Sequence, residues 1–176
     1  MTNPLFYAKI LLFGEYGIIE DSQGLTLPYS FYKGTLKFSE NQSDFEKKSN
    51  ESLSKYAQYL SELNLPEAFK INVEAFKKDI KKGLFFDSNI PQGYGVGSSG
   101  ALVAAIFEKY SFIKYNPEEI SKNQLKDLKK VFGELESYFH GKSSGIDPLI
   151  CYMNLPILIE NKESVDKVSI PKEEAG

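Results

Sequence analysis

The chain has little of the chemistry that cysteine, histidine, arginine and tryptophan supply. Its 176 residues include one cysteine and no tryptophan, so no disulfide can form within the chain. The one histidine, His140, cannot build a multi-histidine zinc site. Every basic residue is lysine, so the guanidinium fork that often grips phosphates is absent. Redox and zinc chemistry are therefore excluded, and a phosphate site would have to use lysine, backbone N–H groups or a metal ion.

Long apolar runs and an excess of positive charge are also missing. No apolar run approaches the ~20 residues that cross a bilayer, and the N-terminus lacks a basic segment followed by an apolar core and a cleavage site. The net charge is -3, whereas proteins that bind duplexes concentrate positive charge on one face. We therefore expect a cytoplasmic protein that binds neither membranes nor nucleic acids.

The remaining residues predict an ordinary hydrophobic core and an α+β pattern of strands and helices. Hydrophobic residues make up 41% of the chain and include 13 Phe, which predicts one compact domain. Strands are predicted at residues 6–13, 25–32, 84–87 and 156–159, and Pro28 favours an edge or an interruption in the second. Apolar residues at helical spacing predict helices at 53–63, 69–80, 101–110 and, starting at the Asn116-Pro117 signature, up to 139. The result is a sheet with helices packed on it.

Two polar segments are predicted to lie outside this framework. Residues 39–52 read as a solvated loop without a function, because they are almost wholly polar. The chain after Ile159 is also polar and is predicted to end without regular structure.

The sharpest local signal is a glycine-rich run at residues 91–100, P-Q-G-Y-G-V-G-S-S-G, which opens directly into an apolar helix. Glycine lets a backbone turn with positive φ and approach a ligand closely. The free N–H groups at the start of a helix attract an anion. The run therefore predicts a phosphate cradle.

Three familiar motifs fit this chain poorly. Gly95, Gly97 and Gly100 spell the dinucleotide fingerprint, but the βαβ unit that should follow is missing. Gly141-Lys142-Ser143 resembles the end of a P-loop, yet Glu136 stands where its first glycine belongs. The G-x-S-x-G pattern at residues 141–145 follows a helix, whereas a nucleophile elbow follows a strand.

Acidic residues form a second constellation, E-S-Y-F-H-G-K-S-S-G-I-D at residues 136–147. Glu136 is predicted to lie near the C-terminal end of a helix, where the helix dipole disfavours an acid, so it should be matched by a cation. Asp147 precedes a proline and could cap the next helix. Lys9, predicted to lie in a buried strand, also requires a partner of opposite charge.

Taken together, these segments resemble the GHMP small-molecule kinases, and within them most closely the mevalonate kinases. The matching motifs are K-I-L-L-F-G-E-Y at residues 9–16, the glycine-rich run, and residues 136–147. The resemblance implies the α+β fold of the GHMP N-terminal domain over residues 1–160, with 161–176 as a polar tail. It also implies ATP and Mg²⁺ as cofactors, and the primary alcohol of mevalonate as acceptor, a step in making isoprenoid precursors.

The resemblance implies a role for particular residues. ATP would be bound by the glycine-rich loop, through Gly93, Gly95, Gly97, Ser98, Ser99 and Gly100. Mg²⁺ would be bound by Ser99 and Glu136, whose oxygens suit that ion. Asp147 would accept the proton of the attacking hydroxyl, and Lys9 beside it would keep that acid ionised. The substrate side would be lined by Glu15, Tyr16, His140 and Ser144.

Some features depart from the family pattern. Tyr16 stands where these kinases commonly have His, which bears on substrate choice; Gly100 and Ser143 replace Ala and Pro and are expected to be conservative changes. The resemblance also implies a second, C-terminal domain, and we expect that nothing after Ile159 supplies it. Homoserine, a phosphomevalonate-type acid or a sugar remain alternative acceptors. A further alternative is a non-catalytic nucleotide-binding half that pairs with a second copy or with a separately encoded C-terminal domain.

Overall fold

Five antiparallel strands form the sheet in the computed structural model, which describes residues 3–14 and 23–169. They are β1 (Phe6–Phe13), β2 (Gly24–Phe38), β3 (Leu84–Ser88), β4 (Ile157–Ile159) and β5 (Val165–Lys167). The long strand β2 pairs with β1 along one edge and with both β3 and β4 along the other, at its two ends. Strand β5 extends the sheet beyond β4.

The pairing of β1 with β2 is interrupted next to Pro28. Tyr7 lies opposite Lys33, but the next residue, Ala8, lies opposite Tyr29, so three residues of β2 bulge out of the ladder. Lys9 then lies opposite Pro28. Proline cannot donate to a ladder and is tolerated at such irregularities, so the predicted interruption is confirmed.

Within the described residues, five α-helices pack on the sheet and on one another. They are α1 (Asp44–Glu62), α2 (Val73–Lys81), α3 (Ser98–Tyr110), α4 (Lys122–His140) and α5 (Ile146–Met153). Helices α3 and α5 pack together and against β1 and β2, whereas α1 packs on β3, α2 and α4. At the centre the rings of Phe107, Phe132 and Tyr152 meet edge to face at centroid distances of 5.0 to 5.5 Å. The predicted α+β class, a sheet with packed helices, is confirmed.

Two predicted helix starts were wrong. Residues 39–52 were expected to form a loop, but α1 begins at Asp44 because Ser43 and Glu46 form a capping box, the Ser43 backbone N–H donating to the Glu46 carboxylate at 2.7 Å. Helix α4 does not begin at the Asn116-Pro117 signature. It begins at Lys122, where Ser121 and Gln124 form a second capping box.

The predictions for α5 and for the end of the chain also need correction. Asp147 was considered as the cap of α5, but Gly145 holds that position and Asp147 lies in the first turn. The segment after Ile159 was expected to lack regular structure. Instead, residues 165–167 form β5, because Val165 is buried against the core and pairs with Ile159.

Candidate active site

The glycine-rich run forms a loop between β3 and α3 whose backbone alternates through positive φ. Gly93, Gly95 and Gly97 have φ values of +81°, +67° and +85°. A Cβ at Gly93 or Gly95 would meet nothing within 4 Å, so these two residues border open space. Gly97 is the N-cap of α3, and no side chain of the described residues caps this helix. The first N–H groups of α3 are thus available to an anion, as the sequence predicted.

Lys9 connects this loop to an acid on α5. Its backbone N–H donates to the carbonyl of Val96 at 2.9 Å, which attaches β1 to the loop. Its ammonium Nζ lies 3.0 Å from Asp147 Oδ1, and the two side chains are 12% and 31% exposed. The pairing of this lysine with Asp147 is the arrangement that the resemblance to the GHMP kinases implies. It places a carboxylate beside the loop.

Glu136 is the buried acid of the site. The hydroxyl of Ser99 donates to its Oε1 at 2.8 Å, and the hydroxyl of Ser143 donates to its Oε2 at 2.5 Å. The side chain is almost fully buried, at 3% exposure. Burial raises its pKa, and the charge of Asp147 raises it further, whereas the two hydroxyl donors act in the opposite direction. A cation bound nearby would favour the ionised form of this carboxyl.

His140 joins the same cluster at the end of α4. Its Nε2 lies 2.9 Å from Ser99 Oγ. Because the one hydroxyl proton of Ser99 is donated to Glu136, the His140 ring N–H donates to Ser99. His140 therefore orients Ser99 and also lines the cleft.

Helix α1 holds the end of α4 that carries Glu136. The phenols of Tyr56 and Tyr59 donate to the carbonyls of Leu135 at 2.9 Å and Glu134 at 2.7 Å. Tyr56 is fully buried, and burial raises its pKa far above the ordinary value, so it remains a donor at all physiological pH values. The position of Glu136 is thus set by tertiary hydrogen bonds to its neighbours.

A cleft of about 830 Å³ runs along the glycine-rich loop. The loop, Ser98, Ser99, His140 and Asp147 line one part of it. The first half of α1 lines another part, through Phe45, Lys48, Ser49 and Ser52. Sequence analysis missed these four residues because it assigned residues 39–52 to a loop. The signal was present, since Phe45, Ser49 and Ser52 continue the helical spacing of Leu53 and Tyr56 towards the N-terminus.

Not every predicted site residue joins the cluster. Ser144 is exposed, and its hydroxyl accepts a hydrogen bond from the backbone N–H of Ile146 at 3.4 Å. Glu15 and Tyr16 lie outside the described residues. Sequence analysis also treated Ser143 as a simple departure from the family pattern, whereas it contacts Glu136.

The oxygen atoms of the site fit a Mg²⁺ ion carried with a triphosphate. Within residues 3–14 and 23–169, no three His, Cys, Asp or Glu side chains cluster as a metal site. Mg²⁺ does not need such a cluster, because one or two carboxylates commonly hold it together with phosphate oxygens. Ser99 and Glu136 offer a hydroxyl and a carboxylate in direct contact, at the start of the helix that follows the loop.

Comparison with known proteins identifies the family. A model of the GHMP kinases N terminal domain matches residues 52–154. This match covers more than half of the chain and includes the loop, Glu136 and Asp147, so the chain belongs to the GHMP kinase family. No curated protein matches the chain.

Among the helices that the structure describes, none is long and apolar enough to span a membrane.

Solved mevalonate kinases share the fold at low sequence identity. The Methanococcus jannaschii enzyme has a TM-score of 0.57 and 15% identity over 96% of this chain. A second mevalonate kinase has a TM-score of 0.56 and 16% identity over 96%. L. major mevalonate kinase, in complex with R-mevalonate, has a TM-score of 0.56 and 14% identity over 98%. The chain spans 56%, 56% and 53% of these three proteins, just over half of their length.

Proposed function

We propose that this chain is the nucleotide-binding half of a kinase that phosphorylates the primary alcohol of mevalonate, with ATP and Mg²⁺, in the supply of isoprenoid precursors. The observation that carries the proposal is the ion pair between Lys9 and Asp147 beside the glycine-rich loop. A carboxylate next to a phosphate cradle can orient an attacking alcohol and accept its proton in phosphoryl transfer. Mevalonate as the acceptor rests on the likeness to the mevalonate kinases.

The loop and the start of α3 would bind the triphosphate. Gly93 and Gly95 leave the backbone free of side chains on the open side, so its N–H groups can approach phosphate oxygens. Ser99 and Glu136 would hold Mg²⁺, which neutralises charge on the phosphate oxygens when bound. His140 and Ser143 would orient these two ligands by the hydrogen bonds described above.

Asp147 would act as the base, accepting the hydroxyl proton of the acceptor at a carboxylate oxygen. Lys9 contacts Oδ1 and so holds that oxygen of the carboxylate in place. We expect the acceptor hydroxyl to approach the other oxygen, Oδ2. Asp147 lines the cleft, and its side chain is 31% exposed.

A second candidate function is that of a nucleotide-binding half without activity of its own. The coverage of just over half of the mevalonate kinases favours it, because phosphoryl transfer depends on exclusion of water and on exact placement of both substrates. The partner would be a C-terminal domain or a second copy.

Two further points stay predictions from the sequence. They are the division into a domain at residues 1–160 and a tail, and the cytoplasmic location.

The test is ADP release by the folded 176-residue chain with Mg²⁺-ATP and mevalonate, beside Asp147→Asn and a blank without acceptor. Mevalonate-dependent release that Asp147→Asn abolishes would support the kinase. Binding of Mg²⁺-ATP without release would support the inactive half, and homoserine, phosphomevalonate and sugars would then be tried with a C-terminal domain added. A folded chain that does not bind Mg²⁺-ATP would contradict both functions.

A further inference from the structure

One face of α1 brings a lysine into the cleft. Phe45, Lys48, Ser49 and Ser52 follow the i, i+3, i+4, i+7 spacing of a single helix face, and all four line the cleft. Lys47 precedes Lys48 but lies about 100° away around the helix axis, off the face that lines the cleft. Of these two neighbouring lysines, Lys48 is therefore the one that α1 directs towards the space beside the glycine-rich loop.

The place of this lysine is set by hydrogen bonds that its neighbours make. The hydroxyl of Ser49 accepts from the backbone N–H of Phe86 at 3.0 Å, and the side-chain amide of Asn50 donates to the carbonyl of Leu84 at 2.6 Å. Both bonds join α1 to β3, the strand that leads into the glycine-rich loop. The backbone of Lys48 is thus held beside the loop before a ligand binds, which lowers the ordering cost of binding.

The charge of Lys48 has no counterpart in the cleft. Its side chain is exposed, and its ammonium has no ion-pair or hydrogen-bond partner within the part of the chain that the structure describes. Asp147 is the one acidic side chain among the described residues that line the cleft, and it already pairs with Lys9. The α1 wall of the cleft therefore carries an uncompensated positive charge, which suits an anionic ligand.

We propose that Lys48 is a nucleotide-binding residue, whose ammonium contacts the phosphate groups of the nucleotide from the α1 wall of the cleft. This inference rests on the proposed function and adds a residue from outside the three sequence motifs. The chain has no arginine, so a cationic side chain that binds phosphates permanently charged must be a lysine. Lys9 is held by Asp147, whereas Lys48 can reach a phosphate through its flexible four-carbon stem.

Removal of this charge should weaken nucleotide binding. We expect Lys48→Met to raise the Kd of the 176-residue chain for Mg²⁺-ATP about 5–20-fold, the range for one exposed charge a few ångströms from a phosphate. Methionine keeps a long stem and forms helices about as well as lysine does, so the change is one of charge. Lys48→Arg keeps the charge and should leave the Kd within about threefold.

Lys47→Met is the matched control, because it removes the same charge from the adjacent, exposed position of α1. Its Kd for Mg²⁺-ATP should stay within about twofold of that of the unchanged chain, since solvent screens a charge outside the cleft. Equal Kd values for Lys48→Met and Lys47→Met would overturn the proposal. A Lys48→Arg chain that binds as weakly as Lys48→Met would overturn it too, because charge would then not be the cause.

Two probes and a salt series assign the contact to the phosphate groups. Mg²⁺-tripolyphosphate carries phosphates without a nucleoside, and adenosine carries the nucleoside without phosphates. Lys48→Met should weaken the binding of tripolyphosphate by the same factor as that of ATP and leave adenosine binding unchanged, and a loss confined to adenosine would overturn the proposal. At about 1 M salt, where the Debye length is about 3 Å, the effect of Lys48→Met should shrink; an effect that salt does not change would contradict a charge contact.

The same titrations separate this inference from the proposed function. Mg²⁺-ATP binding that Lys48→Met leaves unchanged would overturn the inference and leave the proposed function standing. Tripolyphosphate binding that depends on Lys48, in a chain that does not bind Mg²⁺-ATP, would contradict the proposed function and support the inference. A folded chain that binds neither would overturn both. If Lys48→Met aggregates, Lys48→Gln removes the same charge with a polar side chain.

Discussion

The ammonium of Lys9, on strand β1, lies 3.0 Å from the carboxylate of Asp147, on helix α5. Lysine in a mostly apolar strand is costly unless it is paired, and here the pairing partner lies at the far end of the sequence. The ion pair links β1, the glycine-rich loop and α5, because the Lys9 backbone also bonds the loop at Val96. It is both a structural contact and the centre of the proposed chemistry.

The stability of this ion pair can be tested against an exposed one. Lys9→Met should lower the free energy of unfolding by about 1–3 kcal/mol, because it leaves Asp147 half-buried without its cation. Lys37→Met is the control: Lys37 pairs with Asp87 at 2.6 Å, but both side chains are nearly half exposed, so about 0–1 kcal/mol is expected. Denaturant unfolding measures both, and equal losses would show that burial does not strengthen the Lys9 pair.

The buried acid Glu136 predicts a pH dependence of stability. Burial, followed by the charge of Asp147, raises its pKa in the folded chain. A raised folded pKa gives a contribution that is present at low pH and is lost as the pH rises through that pKa. As the pH rises above the ordinary pKa of glutamate, about 4.3, the metal-free chain should therefore lose stability relative to Glu136→Gln.

Urea unfolding across this pH range measures the difference. Glu134→Gln, which removes an exposed carboxylate from the same helix, is the matched control. The same pH trend in both comparisons would mean that the burial of Glu136 is not its cause.

Gly145 should be far less tolerant of substitution than a glycine in the open loop. It has φ of +76°, and a Cβ there would overlap the carbonyl of Lys129 and lie 2.6 Å from the nitrogen of Gly133. Gly145→Ala should cost about 3 kcal/mol or more, from backbone strain and overpacking together. Gly93→Ala, with φ of +81° and free space, should cost about 1–2 kcal/mol. Thermal unfolding of the two variants tests this order, and similar costs would contradict it.

The wall of the cleft that α1 forms should depend on the capping box at the start of this helix. Ser43→Ala should cost about 1 kcal/mol and increase amide exchange in the first turn of α1, where Phe45 and Lys48 line the cleft. Ser54→Ala, an exposed position within the same helix, should be nearly neutral. Hydrogen exchange by mass spectrometry measures the effect, and unchanged protection in Ser43→Ala would show that other contacts hold this turn.

The parts of the site that sequence analysis predicted are those with a local signature. The positive φ angles of the glycine-rich loop follow from the glycines themselves. A lysine in an apolar strand predicts a partner of opposite charge. The first half of α1 was missed because its polar residues outweighed a capping box that identifies the helix start. Ser143 was missed because its contact with Glu136 depends on how the chain returns after α4.

By itself, the sequence determined the strands and helices with clear apolar periodicity, the glycine-rich loop with its positive φ angles, and the charged residues available for chemistry. The family resemblance implied that Lys9 lies beside Asp147, and the tertiary structure shows their contact at 3.0 Å. The tertiary structure alone decided that α1 forms a wall of the cleft and that a Cβ at Gly100 would lie 2.7 Å from the backbone of Asp147. The reason is physical. Backbone preferences and periodicity act over a few neighbouring residues, whereas separations below 4 Å between distant elements depend on how the whole core packs.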